Sequence, residues 1–263
     1  MTPLRLYVEG IGLWSPAFVD FDALRARLAG GAPAAADTPA AALLPANERR
    51  RAPQSVRLAV EVAGQALAMS RRDPATLACV FASAYGDQPI TDAICSTLAR
   101  MPTELSPTRF HHSVHNAAAG YWTIATACHA PSSAVCAGVH TFGAALLEAA
   151  TQAAAEQRPV LLACTDIAGC GPLQEMTRCE HAFGCALLLA PEAGADTCAQ
   201  LRLEVAGDHA APTATPAALG GGTSGNPCAA ALPLLALLAT GGGACRIDCA
   251  ATLDLLATIE AAA

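Results

Sequence analysis

The 263 residues contain no lysine: all 15 basic side chains besides histidine are arginine, set against 22 Asp and Glu, and the net charge is -7. No basic stripe can be drawn along such a chain, which argues against a nucleic-acid partner. Aromatic residues are scarce at 4%, so the core has to be built from Ala, Leu, Val and Ile, with Cys and Gly where elements approach closely. No C-x-x-C pair occurs. The closest spacing, Cys245 to Cys249, lies in an alternating strand-like segment without a matching pair elsewhere, so no zinc site is expected. The first residues, M-T-P-L-R-L-Y-V-E-G, lack the basic and apolar regions of a signal peptide. The longest apolar stretch, 228–239, is interrupted by Pro233 and falls short of the ~20 residues that span a bilayer. These absences predict a cytoplasmic protein with no membrane span and no cofactor.

What is present is an apolar chain, 53% by composition, long enough to bury a sizeable core. Its twelve cysteines sit in runs such as L-A-C-V-F around Cys79 and L-L-A-C-T around Cys164, which read as buried free thiols. Leu4, Leu6 and Val8 alternate with polar partners as in a strand, and Gly10 and Gly12 are expected to turn the chain. Residues 31–53 are rich in Ala and Pro and end in Arg49, Arg50 and Arg51, the pattern of an edge loop or short helix with a solvated basic turn. Val56, Ala59, Val60, Ala63, Ala66 and Leu67 recur at helical spacing. A short apolar strand follows at 77–83, then a helix at 89–100, an Ala-rich helix at 116–128 capped by Asn116, and a short strand at 133–136. A long helix is expected at 141–156, with strands at 160–164, 183–190 and 201–206. Residues 212–227 form a Gly-, Thr- and Pro-rich loop, and a helix at 228–240 and a strand at 244–249 finish the pattern. Alternating helices and apolar strands predict an α/β layered sheet covered on both faces.

The stretch from Ser106 to Glu148 carries more than periodicity. It reads S-P-T-R-F-H-H-S-V-H-N-A-A-A-G-Y-W-T-I-A-T-A-C-H-A-P-S-S-A-V-C-A-G-V-H-T-F-G-A-A-L-L-E. It resembles the amino-terminal half of the β-ketoacyl synthases, with their N-x-x-A-G helix, Pro-led strand and nucleophile elbow. Y-V-E-G-I-G-L-W-S-P at 7–16 and A-F-G-C-A-L-L-L-A-P at 182–191 resemble that family's first strand and the strand after its nucleophile helix. The matches run in order over about residues 4–191. The resemblance implies a thiolase-like α-β-α fold with a mixed central sheet and a truncated second half. Residues 1–263 then make a single domain, with 192–263 a shortened remnant of that half.

In active members the elbow reads T-A-C-x-S-G. Counted without gaps from Pro131, Ala137, Gly138 and Val139 fall over T-A-C, and Thr141 and Phe142 over S-G. The nucleophile position is thus occupied by Val139, which has no nucleophilic atom. The family's two His motifs, of H-G-T-G and N-x-F-G-F-G type, have no counterpart here. The resemblance implies a chain-length-factor-like, non-catalytic subunit that forms a heterodimer with a full-length β-ketoacyl synthase. The setting would be polyketide, aryl polyene or fatty-acid-like biosynthesis, with an acyl carrier protein reached through the complex. Phe110, His112, His115, Asn116, Ala134 and Cys136 are the candidate binding and interface residues.

Two other classes remain open on the sequence. An acyl-transfer or thioester-hydrolysing enzyme would use Cys136, three residues before Val139, with a His from 110–116 as base. A stand-alone module would simply bind acyl carrier protein. His111, His112 and His115 form H-H-x-x-H, but without a Glu between the histidines this is a poor zinc motif, and hydrogen-bonding roles suit them better. Asp166, at the end of its strand, reads as a turn-forming residue with Gly169 more simply than as a functional acid.

Overall fold

A computed structural model describes residues 3–32, 36–207, 210–220, 222, 223 and 225–261. The apolar runs become strands of one eight-stranded mixed sheet. In chain order these are β1 (Leu4–Trp14), β2 (Ala78–Ala82), β3 (Ser132–Val135), β4 (Val160–Asp166), β5 (Phe183–Ala190), β6 (Ala199–Ala206), β7 (Gly243–Ala250) and β8 (Leu253–Ala261). Their order across the sheet is β3-β2-β4-β5-β1-β6-β8-β7. The β3-β2 and β2-β4 pairs are parallel and the remaining pairs antiparallel. The helices are α1 (Phe21–Leu28), α2 (Ala46–Arg51), α3 (Gln54–Ser70), α4 (Gln88–Arg100), α5 (Pro107–His112), α6 (Ala117–Ala125), α7 (Thr141–Glu156), α8 (Gly171–Thr177) and α9 (Leu232–Thr240).

Strand alternation assigns the layers. Val80, Leu162, Cys164 and Leu187 point into a core shared with α7 and α9. Their neighbours Cys79, Phe81, Leu161, Ala163 and Leu188 point into a second core with α3 and α6. β2, β4 and β5 are buried along their whole length, which is why they read as continuous apolar runs. β7 and β8 bury Cys245, Ile247, Cys249, Leu255, Ala257 and Ile259 on the α7 side, with Leu253 packed beside them, and so alternate apolar with polar. The segment expected as a remnant therefore has a defined position: β6, β8, β7 and α9 extend the sheet and close over α7, whose Ala145, Leu146, Ala149, Ala150 and Ala153 are all buried.

Several expectations need correction. Gly10 and Gly12 do not turn the chain, because β1 runs through both. A Cβ on Gly10 would lie 2.0 Å from the Ala66 carbonyl oxygen, and one on Gly12 1.9 Å from that of Val62; the glycines let α3 lie directly on the strand. A bulge between Val8 and Gly10 shifts the alternation, so Leu6, Val8, Ile11 and Leu13 all reach the α7 core. Asn116 stands at the N-cap position of α6 but makes no capping hydrogen bond. β8 and α8 were not expected. The loop at 212–227 contains Gly221 and Ser224, which lie outside the described residues; around them it holds a 3-10 turn at Ala217–Leu219 and an extended stretch that lies on β7. There Thr213 N–H donates to the Arg246 carbonyl at 3.0 Å and Arg246 N–H donates to Thr213 Oγ1 at 2.8 Å.

The two sheet edges differ in consequence. β7 is covered by Thr213, whereas among the described residues β3 pairs only with β2 and is half to fully exposed along its length. No helix among the described residues is long and apolar enough to cross a membrane.

Candidate functional site

The carboxyl ends of the parallel strands β3, β2 and β4 open on one side, the usual place for chemistry in such sheets. β3 ends at Val135, and the chain passes through Cys136 and Ala137 into a 3-10 turn, Gly138–His140, before α7 starts at Thr141. Gly138 takes φ +57°, a left-handed conformation that glycine adopts without strain. Thr141 Oγ1 accepts from Ala137 N–H at 3.0 Å and donates to the Gly138 carbonyl at 2.7 Å, which locks the turn. Val139 sits on it, 64% exposed, directly before a helix whose first turn has no side-chain cap. Unsatisfied N–H groups at a helix start suit an anion, but the side chain presented there is a hydrocarbon.

Cys136 is exposed, and its thiol faces the Ala84 carbonyl oxygen at 3.4 Å. His115 donates from Nε2 to the neighbouring Ser83 carbonyl at 3.1 Å, so its ring is engaged with backbone. His112 Nε2 lies 2.9 Å from Tyr121 Oη, tying α5 to α6. Burial, and then the nearby His111, hold the His112 imidazole below the usual histidine range, with Asp87 pulling the other way. Among the described residues no His ring nitrogen hydrogen-bonds Cys136.

Asp166, read from the sequence as a turn residue, is the buried hub of this end of the sheet. Its Oδ1 accepts from Ser83 Oγ at 2.7 Å and Tyr85 N–H at 2.9 Å, and its Oδ2 from Ala84 N–H at 3.0 Å and Cys228 Sγ at 3.0 Å. Burial raises its pKa, and the four hydrogen bonds oppose that shift. Gly169 instead donates its N–H to the Cys179 carbonyl. The carboxylate fixes the 83–86 loop against which Cys136 and His115 rest. It also meets Cys228, whose thiol lies 3.0 Å from that of Cys164. All twelve cysteines are free thiols, eight of them buried. Burial pushes Cys79, Cys179 and Cys245 up to about 12, which suits packing residues and not nucleophiles.

The other candidate residues lie on the β3 edge and beside it. Ala134 is exposed on the edge strand and Phe110, on α5, is 59% exposed. Asn116 lines a groove of about 340 Å³ between α2, α5 and α6, together with Leu44, Val114, Gly120, Tyr121 and Ile124. Ile124 is 82% exposed. Phe110, Val114 and Ile124 thus leave apolar surface open on the α5-α6 side. The elbow residues and the edge residues form two neighbouring surfaces, with Cys136 between Ala134 and Val139 in the chain. No group of three or more His, Cys, Asp and Glu that could hold a metal ion occurs among the described residues.

The fold is shared with solved ketosynthase assemblies. A chain in the structure titled "Ketosynthase (ApeO) in Complex with its Chain Length Factor (ApeC) from Xenorhabdus doucetiae" matches with a TM-score of 0.71 at 23% identity, over 97% of this chain and 99% of that one. The structure titled "The ishigamide ketosynthase/chain length factor" gives 0.71 at 14% identity over 99% and 100%. A type II polyketide acyl-carrier protein in complex with its ketosynthase gives 0.60 at 17% over 72% and 63%. No curated protein matches the sequence. The architecture is the thiolase-like layered α-β-α arrangement expected from the resemblance, with a mixed sheet. A family model, "Beta-ketoacyl synthase, N-terminal domain", matches residues 24–248, and the chain belongs to the β-ketoacyl synthase family.

Proposed function

We propose that this chain is a chain-length-factor-like, non-catalytic subunit that pairs with a full-length β-ketoacyl synthase in polyketide or aryl polyene biosynthesis. The observation that carries the reading is Val139, on a Thr141-locked turn at the start of the buried helix α7. In this reading the turn before α7 is the elbow, and a side chain without a nucleophilic atom occupies its tip. A subunit of this kind acts by shaping a shared cavity, not by making bonds. The β3 edge and the apolar surface of α5 and α6, with Ala134, Phe110, Asn116 and Ile124, are the proposed contact, and an acyl carrier protein is reached through the complex. The likeness to the ketosynthase and chain length factor assemblies supports this reading.

The enzyme reading based on Cys136 has weaker support. Its thiol faces a carbonyl, and His112 and His115 are engaged with Tyr121 and Ser83. Intact-mass measurement after incubation with acyl thioesters, and separately with a ketosynthase-directed epoxide, decides between the two. The expected result is an unchanged mass. Stoichiometric labelling at Cys136 would instead establish an acyl-transfer or hydrolytic enzyme.

A further inference from the structure

Close packing accounts for Gly10, Gly12 and Gly143, where a Cβ would lie 2.0 Å or less from a backbone carbonyl oxygen. Gly120 is different. It lies inside α6, where glycine is less favourable than alanine, and it takes no left-handed conformation. A Cβ built on it meets nothing within 4 Å. Its missing side chain serves neither the backbone nor the packing; what it leaves is room in the groove between α2, α5 and α6.

That groove, of about 340 Å³, is mainly apolar, with Leu44, Pro45, Val114, Ala117, Tyr121 and Ile124 in its lining. Val114 is 43% and Ile124 82% exposed, so the apolar surface continues past the rim, as at a protein contact and unlike an enclosed ligand pocket. The α2 side is basic. α2 reads A-N-E-R-R-R, and among the described residues none of Arg49, Arg50 and Arg51 enters an ion pair; Arg50 donates to the Asn47 side chain. Arg51 follows the lining residue Glu48 by three positions and so shares its helix face. Burial, and then Glu48, push the Tyr121 hydroxyl above the usual tyrosine range, and Arg51 opposes them.

We infer that the groove is a socket for the ketosynthase: a large apolar side chain of that subunit enters it beside Gly120, and carboxylates flanking that side chain meet the α2 arginines. Burial in a well-shaped apolar pocket is what concentrates binding energy at the centre of a contact. Guanidinium groups without an acidic neighbour select a carboxylate surround, and a basic segment would face three arginines on α2 against the one glutamate. The assignment rests on the subunit-pairing reading and names the partner chemistry that this part of the contact takes.

The test is co-expression with the full-length ketosynthase of the same pathway, with Kd read by mass photometry as the purified complex is diluted. Gly120→Leu, which puts a side chain into open space, should leave the Tm of the free chain unchanged or higher and raise Kd at least ~10-fold. Changing Arg49, Arg50 and Arg51 together to Gln should also raise Kd and flatten its dependence on sodium chloride. An unchanged Kd in either variant overturns the socket. If Ala134→Arg abolishes the complex in that same assay, the pairing itself stands, whereas a wild-type chain that forms no complex overturns both. The arginine variant decides even where Gly120→Leu does not fold.

Discussion

Val139→Cys exchanges one small exposed side chain for another on a turn held by Thr141, so the variant should fold and its thiol should be alkylated by iodoacetamide. It should nevertheless form no carbon-carbon bond in a radiometric condensation assay of the isolated chain. Nucleophile, base and oxyanion donors act as a unit, and restoring one does not restore the others; measurable condensation would reveal a base that the geometry does not show. Gly12 is decisive in a different way. A methyl group there would lie 1.9 Å from the Val62 carbonyl oxygen, so Gly12→Ala must push α3 off β1. A loss of roughly 1–3 kcal/mol in urea unfolding is expected, and an unchanged midpoint would show that the helix can yield. Asp166 marks the limit of reading by residue type. An Asp followed three residues later by Gly looks like a turn, and only the parallel neighbours β2 and β4, distant in sequence, reveal the Ser83, Ala84 and Tyr85 donors around it.

Elements buried on both faces were legible because they carry unbroken apolar runs, and long helices because their periodicity repeats over several turns. α7 was expected at 141–156 and observed at Thr141–Glu156; β5 was expected at 183–190 and observed at Phe183–Ala190. The elements missed were those whose signal is short or interrupted. α8 has seven residues and no buried ones. β8 hides its alternation behind Asp254, a carboxylate on the core-side strand that is fully buried and paired with Arg246. α5, six residues long, falls within the Ser106–Glu148 stretch and carries no periodicity of its own; it is tied to α6 through His112 and Tyr121. The His112 imidazole bound to Tyr121 is held below its ordinary range by burial, then by His111, against the pull of Asp87. A histidine whose folded pKa is lowered contributes stability that is present above its unfolded pKa and is lost as pH falls through that value toward the folded one. Melting temperature should therefore decline as pH drops below about 6.5. His112→Gln, which keeps a hydrogen-bonding group for Tyr121, should flatten that part of the profile. An identical slope in the variant would assign it to other groups.

At the scale of the whole molecule the sheet has one covered edge and one open edge, and the partner hypothesis follows from the open one. Thr213 satisfies β7, while among the described residues β3 has a strand partner on one side alone, a condition that proteins normally relieve by pairing or covering. The adjoining apolar side chains, Phe110, Val114 and Ile124, are each more than 40% exposed, so the surface next to the edge is poorly suited to water. A strand from a partner laid along β3 would satisfy the backbone and bury this patch together, which is the composition expected of an obligate interface, typically above ~2,000 Å². Co-expression with the ketosynthase of the same pathway should accordingly raise the yield of soluble protein and give a one-to-one complex by size-exclusion chromatography with light scattering. Ala134 is exposed on the edge strand itself, so Ala134→Arg should leave the free chain folded, as judged by circular dichroism. In the complex it would place an unpaired charge within a desolvated strand pairing, at a cost of about 3–5 kcal/mol, and co-purification should be lost. If the chain instead proves a monodisperse monomer, indifferent both to the ketosynthase and to Ala134→Arg, the pairing is wrong and a stand-alone acyl-carrier-protein binding module takes its place.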